Sequence, residues 1–244
     1  MKLQISKQEV MRYAMCRALD EQSEQQMLEA IQTITNLAKH QYHFIVVEKE
    51  DALVQEMCHA SQSIQKLLDT CHHVIIMGVS IGIGIDRHLR MLQNQDMGKA
   101  LWHNAAANAY VEALCDEVKD QLKKHYYTQN QYLSDRFSCG YGDLSLTFQR
   151  QIVERLDGMK KIGLYVNDSM MLCPEKSVTA IIGISKEPQR AMIRGCRYCD
   201  LNGKCTFQNG GMHCGLSDFI RWWNGYYATG RKLKTGGNAG VICI

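Results

Sequence analysis

Two hydrophobic periods alternate along the chain. Apolar residues recur at helical spacing over 7–19 (Val10, Tyr13, Ala14, Leu19), behind Ser6 as a cap, and again over 24–39 (Met27, Ile31, Ile34, Leu37). "FIVVE" (44–48) and "HVIIMGV" (73–79) are short, β-branched runs, and each predicts a strand; so do "KIGLYVND" (161–168) and "SVTAIIGIS" (177–185). Ser61 opens a helix bearing Ile64, Leu67 and Leu68, and a further helix carries Ile81, Ile85, Leu89 and Leu92. The clearest helix is "AAANAYVEALCDEVKDQLK" (105–123), striped by Ala106, Tyr110, Ala113, Leu114, Val118 and Leu122. Its alanine-rich first half predicts a close neighbour. A loop over 125–144 leads to a helix with Phe148, Ile152, Val153 and Leu156. Helices and strands mix without a strict βαβα rhythm, which predicts an α+β domain with a sheet covered by helices. Residues 186–244 differ: they are loop-like, cysteine-bearing and glycine-rich.

Composition narrows the classes. The chain has 244 residues, 45% hydrophobic and 22% charged, which suffices for one sizeable core and argues against disorder. The net charge of +3 is spread out. The basic runs "KDQLKKH" (119–125) and "GRKLK" (230–234) are short and read as solvated faces rather than a nucleic-acid surface. The longest apolar run, "VIIMGVSIGIGI" (74–85), is too short and too glycine-rich to span a bilayer. The start "MKLQISKQEVMRY" has no apolar h-region, so a cytoplasmic protein is expected. Eleven cysteines are then thiols rather than a disulfide framework. Seven are scattered and read as small core hydrophobes, while four crowd into 196–214.

Two stretches attract attention as chemistry. "GVSIGIGID" (78–86) lies between a strand and a helix but matches neither G-x-G-x-x-G nor a Gly-Lys-Ser/Thr loop. It reads as a tight strand-to-helix passage, with Asp86 and His88 on the surface of the helix that follows. "DRFSCGYGD" (135–143) is richer. Arg136 offers a planar fork that fits a carboxylate. Gly140 and Gly142 permit close ligand approach, and Tyr141 supplies an aromatic face for a cation. Asp143 suits a helix dipole or a ligand amine. A ligand with a carboxylate, an ammonium and a second cation would use them all. Equally, Arg136 and an aspartate can pair with each other around a simple turn.

A second stretch, "LYVNDSMMLCPEKSVTAIIGIS" (164–185), follows one helix and one strand later. Together the two resemble the activation domain of cobalamin-dependent methionine synthase. The family's Arg-x-x-x-Gly-Tyr motif is met by Arg136, Gly140 and Tyr141. Its Thr/Asn-acid-Ser segment is met by Asn167, Asp168 and Ser169, and its Pro-x-x-Ser-Val segment by Pro174, Ser177 and Val178. The resemblance is nearest to a short, stand-alone form of that domain and covers roughly residues 5–190. It implies a single α+β domain over 1–190 with a mixed, largely antiparallel sheet, followed by a cysteine-rich tail over 191–244. It also implies a ligand, S-adenosylmethionine. Arg136 would hold its carboxylate, Gly140 and Tyr141 would line it, and Asp168 would meet its amine or ribose. The activity implied is reductive reactivation: one electron plus the methyl group of S-adenosylmethionine converts cob(II)alamin to methylcobalamin.

The chain departs from the family in two places. Ile181-Ile182 stands where the long form carries Trp-Tyr, and "WHN" (102–104) precedes the alanine-rich helix where an acidic residue is expected near Asn104. No cobalamin-binding loop, homocysteine module or folate module is present in the sequence. The cobalamin is therefore expected on a separate corrinoid methionine synthase protein, with flavodoxin or ferredoxin as electron donor. A non-catalytic corrinoid-binding module that does not bind S-adenosylmethionine is the competing expectation.

Cys196, Cys199, Cys205 and Cys214 are spaced C-x2-C-x5-C-x8-C, a set that could hold zinc or an iron–sulfur cluster, with His213 able to replace Cys214. A cluster could relay the electron, and zinc could hold together a tail that lacks a core. The aromatic segment from Trp222 to Tyr227 suggests a docking surface and carries no mechanism.

Overall fold

The computed structural model describes residues 3, 5–16 and 18–189. Four strands form one sheet in the order β1 (Gln41–Glu48), β2 (Cys71–Ser80), β6 (Ser177–Ser185) and β3 (Tyr132–Leu133), with every neighbour antiparallel. A separate hairpin pairs β4 (Tyr165–Val166) with β5 (Leu172–Cys173). The α+β expectation holds, and β6 spans the same residues as the expected strand at 177–185.

Both faces of the sheet are covered, which is why β2 and β6 read as near-continuous apolar runs rather than as alternating ones. On one face Ile75, Met77 and Val79 of β2 and Ala180, Ile182 and Ile184 of β6 share a core with four helices. These are α1 (Lys7–Tyr13), α2 (Glu21–Leu37), α5 (Ile83–Gln95) and α6 (Met97–Tyr127). On the other face lie α3 (Ala52–Ala60), α4 (Gln62–Leu67), α7 (Phe148–Arg155) and α8 (Gly158–Ile162). Together with Cys71 of β2 they leave little room beside two strand glycines. A Cβ on Gly78 would stand 3.1–3.2 Å from Ile162, Leu156 and Leu164, and one on Gly183 would stand 2.9 Å from Leu68 and overlap Cys71.

Capping sets the boundaries that periodicity left open. Ser61 caps α4 as expected, accepting from Ile64 N at 3.1 Å. Asp96 accepts from Lys99 N at 3.0 Å and starts α6 eight residues before the alanine-rich run, so Trp102, His103 and Asn104 are helical. Those alanines pack in the core that Met27, Ala30 and Ile34 of α2 complete. Asp51 caps α3, which sequence periodicity did not reveal, through Leu53 N at 3.0 Å. The expected strand at 161–168 shrinks to Tyr165–Val166. Asp157 and Gly163, at φ 50° and 65°, bracket α8 across its first part. Gly82, at φ 88°, makes the tight passage from β2 to α5. Among the described residues no helix is long and apolar enough to cross a membrane.

Candidate functional site

Residues 133–138 run along the free edge of β6 and lengthen the sheet. Leu133 pairs with Ile184, Ser134 N donates to Gly183 O at 2.9 Å, and Gly183 N donates to Ser134 Oγ at 2.8 Å. Phe137 N donates to Ile181 O at 3.0 Å and Ile181 N returns a bond to Phe137 O at 2.8 Å. Ser138 Oγ donates to Thr179 O at 2.7 Å. Side chains alternate across such a segment, so Phe137 shares a face with Ile181 and Arg136 points the other way, toward α6.

There Arg136 Nη2 meets Asp116 Oδ1 at 2.7 Å and Glu112 Oε2 at 3.2 Å. Its side chain is 3% exposed, Glu112 is 8% exposed and Asp116 is 34% exposed, so only Asp116 opens the group to solvent. Burial pulls the guanidinium's pKa down, but the Asp116 and Glu112 carboxylates outweigh it, and the arginine is held firmly protonated, beside a Cys115 thiol that burial keeps neutral. Nε is buried and meets no oxygen acceptor; the group beside the guanidinium is the Cys115 thiol. The charge of Glu112 is also felt by Tyr13 of α1: burial and this carboxylate both raise the phenol's pKa, while Arg12 lies 4.1 Å from the centre of its ring.

The loop then turns. Gly140 and Gly142 adopt φ of 79° and 55°, Gly140 N donates to Leu144 O at 2.9 Å, and the Tyr141 ring stands edge-on to Phe137 at 5.5 Å. Asp143 accepts from Ser61 Oγ at 2.6 Å and Gln62 N at 2.7 Å. Its carboxylate thus serves a helix dipole, but that of α4, 80 residues earlier in the chain, rather than that of the helix that follows it.

Asp168 is exposed on the turn between β4 and β5. Asn167 Oδ1 organises that turn, accepting from Ser169 N at 2.9 Å and Met171 N at 3.0 Å. Arg150 of α7 donates to Asn167 O at 3.3 Å, which ties the hairpin to the helix after the loop. No hydrogen bond or ion pair joins Asp168 to the Arg136 loop among the described residues. Ile181 and Ile182 are fully buried, the first beside Phe137 and the second in the core with α6. A cavity of about 320 Å³ lies elsewhere, between α7, α8 and β4, and none of the four candidate residues lines it.

Asp86 and His88 are not the surface residues expected. Asp86 is 2% exposed and accepts from Glu175 N at 2.8 Å, and burial raises its pKa. It is the anchor for the Pro-x-x-Ser-Val segment, whose Ser177 Oγ donates to Ser80 Oγ at 2.9 Å and whose Lys176 reaches Asn108 at 2.8 Å. His88 Nε2 stands 2.9 Å from His103 Nδ1, and burial lowers the pKa of both rings. Sequence reasoning also missed Glu112 and Asp116, although two acids at i and i+4 beside an apolar stripe repel each other and call for a cation.

Cys196, Cys199, Cys205 and Cys214 lie outside the described residues. Among the described residues no group of three or more His, Cys, Asp or Glu could hold a metal ion. The six described cysteines are free thiols; Cys71 and Cys115 are buried, as core hydrophobes are, and the other four are half-buried.

A search of curated proteins returns no match. Among solved structures, a crystal structure of the MetH reactivation domain bound to AdoHcy is similar to this chain at 18% identity and a TM-score of 0.41. The likeness covers 62% of this chain and half of the length of that one. The family model described as the activation domain of vitamin B12 dependent methionine synthase matches residues 14–196, which include the Arg136 loop, the β4–β5 turn and β6. The chain belongs to the family of vitamin B12 dependent methionine synthase activation domains.

Proposed function

We propose that the chain holds S-adenosylmethionine on the Arg136–Tyr141 loop and presents it to a cobalamin carried by a separate corrinoid methionine synthase protein. The observation that carries this reading is the state of Arg136 within a family of activation domains. Nη2 is braced by Glu112 and Asp116, while Nε–H is buried with no oxygen acceptor and only the weakly accepting Cys115 thiol nearby. A buried donor left unmade costs on the order of 1–3 kcal/mol, and a ligand carboxylate could approach the guanidinium from its open side by taking the place of Asp116. Two carboxylates around one guanidinium also leave an excess negative charge, which suits a ligand bearing an ammonium and a sulfonium. Gly140 lets the backbone approach the ligand, Tyr141 offers its ring, and Asp168 takes the amine or ribose from the hairpin.

Bound there, S-adenosylmethionine supplies the methyl group that, with one electron, returns cob(II)alamin to methylcobalamin. The chain's own residues bind, orient and exclude water; none has to move a proton, and proximity lowers the barrier. Flavodoxin or ferredoxin would deliver the electron, with Cys196, Cys199, Cys205 and Cys214 as a zinc or iron–sulfur site in the tail. The test is to mix the full chain with a corrinoid methionine synthase lacking its activation domain, in the cob(II)alamin state, with reductant and S-adenosylmethionine. Growth of the methylcobalamin spectrum only when the chain is present supports the reading. No growth with an active donor overturns it.

One observation favours a second reading. Aliphatic Ile181 and Ile182 are buried where an aromatic pair is expected beside the ligand. In that reading the chain caps a corrinoid protein without S-adenosylmethionine and relays electrons through an iron–sulfur tail. Iron–sulfur absorption in anaerobically purified protein, together with corrinoid binding that S-adenosylmethionine leaves unchanged, would favour it.

A further inference from the structure

The two edges of the sheet differ. One is closed by β3 and the 133–138 segment, and the other is β1, eight residues paired with β2 without a bulge. Lys49 N donates to His72 O at 2.9 Å, which fixes the phase of this ladder. Odd-numbered residues of β1 turn their backbone groups toward β2, and even-numbered ones turn them outward. The outward N–H and C=O groups of Tyr42, Phe44 and Val46 have no hydrogen-bond partner among the described residues. Natural edge strands are blunted by lysine, proline or a bulge, and "QYHFIVVE" has none of these. It exposes Tyr42 (42%) and Val46 (43%) on the same face.

The ends of this edge carry opposite charge. Lys39 precedes the strand, beside a His40 that is bonded to Tyr110 at 2.6 Å, while Glu48, Lys49, Glu50 and Asp51 end or follow it, a net acidic run in which Asp51 is already paired with Arg155 at 2.9 Å. Lys39 and Glu50 have no ion pair among the described residues. We infer that β1 pairs antiparallel with β1 of a second copy about a two-fold axis at Ile45. Only a self-pair of this sense brings Lys39 of each copy to the net acidic end of the other, twice. A parallel pair would set Lys39 beside Lys39. With Ile45 opposite the second copy's Ile45, Phe44 faces Val46 and Tyr42 faces Glu48, and Lys39 of each copy lies toward the turn that holds Glu50. The parity agrees, because Phe44 and Val46 are both outward residues and exchange backbone bonds directly. Tyr42 lies diagonal to Val46 of the other copy, so both exposed apolar groups are covered. The two Arg136 loops end up on the far outer edges, untouched by the contact.

The experiment is sedimentation equilibrium of the full chain across a range of concentrations, for wild type, Val46→Lys and Val46→Pro. Lysine on the exposed edge places a charge in the contact. Proline removes an outward N–H without breaking a β1–β2 bond. The inference expects a wild-type mass that approaches twice the chain mass as concentration rises. It expects monomers for both variants, with far-ultraviolet dichroism unchanged. A wild type that stays monomeric throughout overturns it, and so does a dimer that either folded variant leaves intact.

Discussion

Phe137 and Ile181 exchange both of their backbone hydrogen bonds, at 3.0 and 2.8 Å. This bridge fastens the Arg-x-x-x-Gly-Tyr segment to the strand that begins within the Pro-x-x-Ser-Val segment, so motifs distant in the sequence share one sheet edge. It also sets the alternation that sends Arg136 to α6 and Phe137 to the opposite face.

Replacing Arg136 separates folding from binding. Arg136→Ala leaves Glu112 and Asp116 facing each other without their cation, and a loss of roughly 3–5 kcal/mol is expected, as for other broken buried pairs. Arg136→Lys keeps the charge but loses the planar fork. It should retain most of the stability and weaken S-adenosylmethionine binding by about tenfold or more. Chemical denaturation and ligand titration of the two variants read the two effects apart.

Asp143 should act as a cap for a helix far away in sequence. Asp143→Ala is expected to cost about 1–2 kcal/mol, and Asp143→Asn less. Although burial opposes it, the hydrogen bonds from Ser61, Ser63 and Gln62 depress the carboxyl's pKa. A depressed carboxyl stabilises the fold fully above its unfolded value of about 4, and that stabilisation is lost as pH falls through the folded value. Denaturation curves should therefore show wild type and Asp143→Ala converging in acid and parting near neutrality.

Gly183 is crowded from two sides, by Cys71 of β2 and by Leu68 at the end of α4. A Cβ there overlaps Cys71 and crowds Leu68, so Gly183→Ala should destabilise by about 1–3 kcal/mol. Adding Cys71→Ala should recover part of that loss. A double-mutant cycle with no coupling would show that the strand moves aside instead.

The His88–His103 pair predicts acid sensitivity of a different kind. Burial holds both rings below the ordinary histidine value of about 6.5. The unfolded chain then takes up protons first, so stability falls as pH drops through and below that value. His103→Asn should flatten the dependence of melting temperature on pH between about 7.5 and 5.5, whereas a purely structural loss would lower the whole curve without changing its slope.

The buried elements were the legible ones. β6 is apolar on both faces and bounded by polar residues, so its run of nine residues reads directly from the sequence. The α3 and α8 helices were not legible, since one depends on a single aspartate cap and the other on two left-handed residues at its ends. The same limit applied to the candidate site. Arg136, Gly140 and Tyr141 lie within one short stretch and form a visible motif, but Glu112 and Asp116 reach Arg136 only because α6 crosses this edge of the sheet. Asp86 looked like a surface acid because its partner, the amide of Glu175, is a backbone group 89 residues away.

The most direct test is calorimetric titration of S-adenosylmethionine into the full-length chain and into its Arg136→Lys variant. A saturable heat at one site in the wild type, weakened at least about tenfold in the variant, is the predicted result. No heat from the wild type, or equal affinity in the two proteins, would contradict a ligand site on the Arg136 loop.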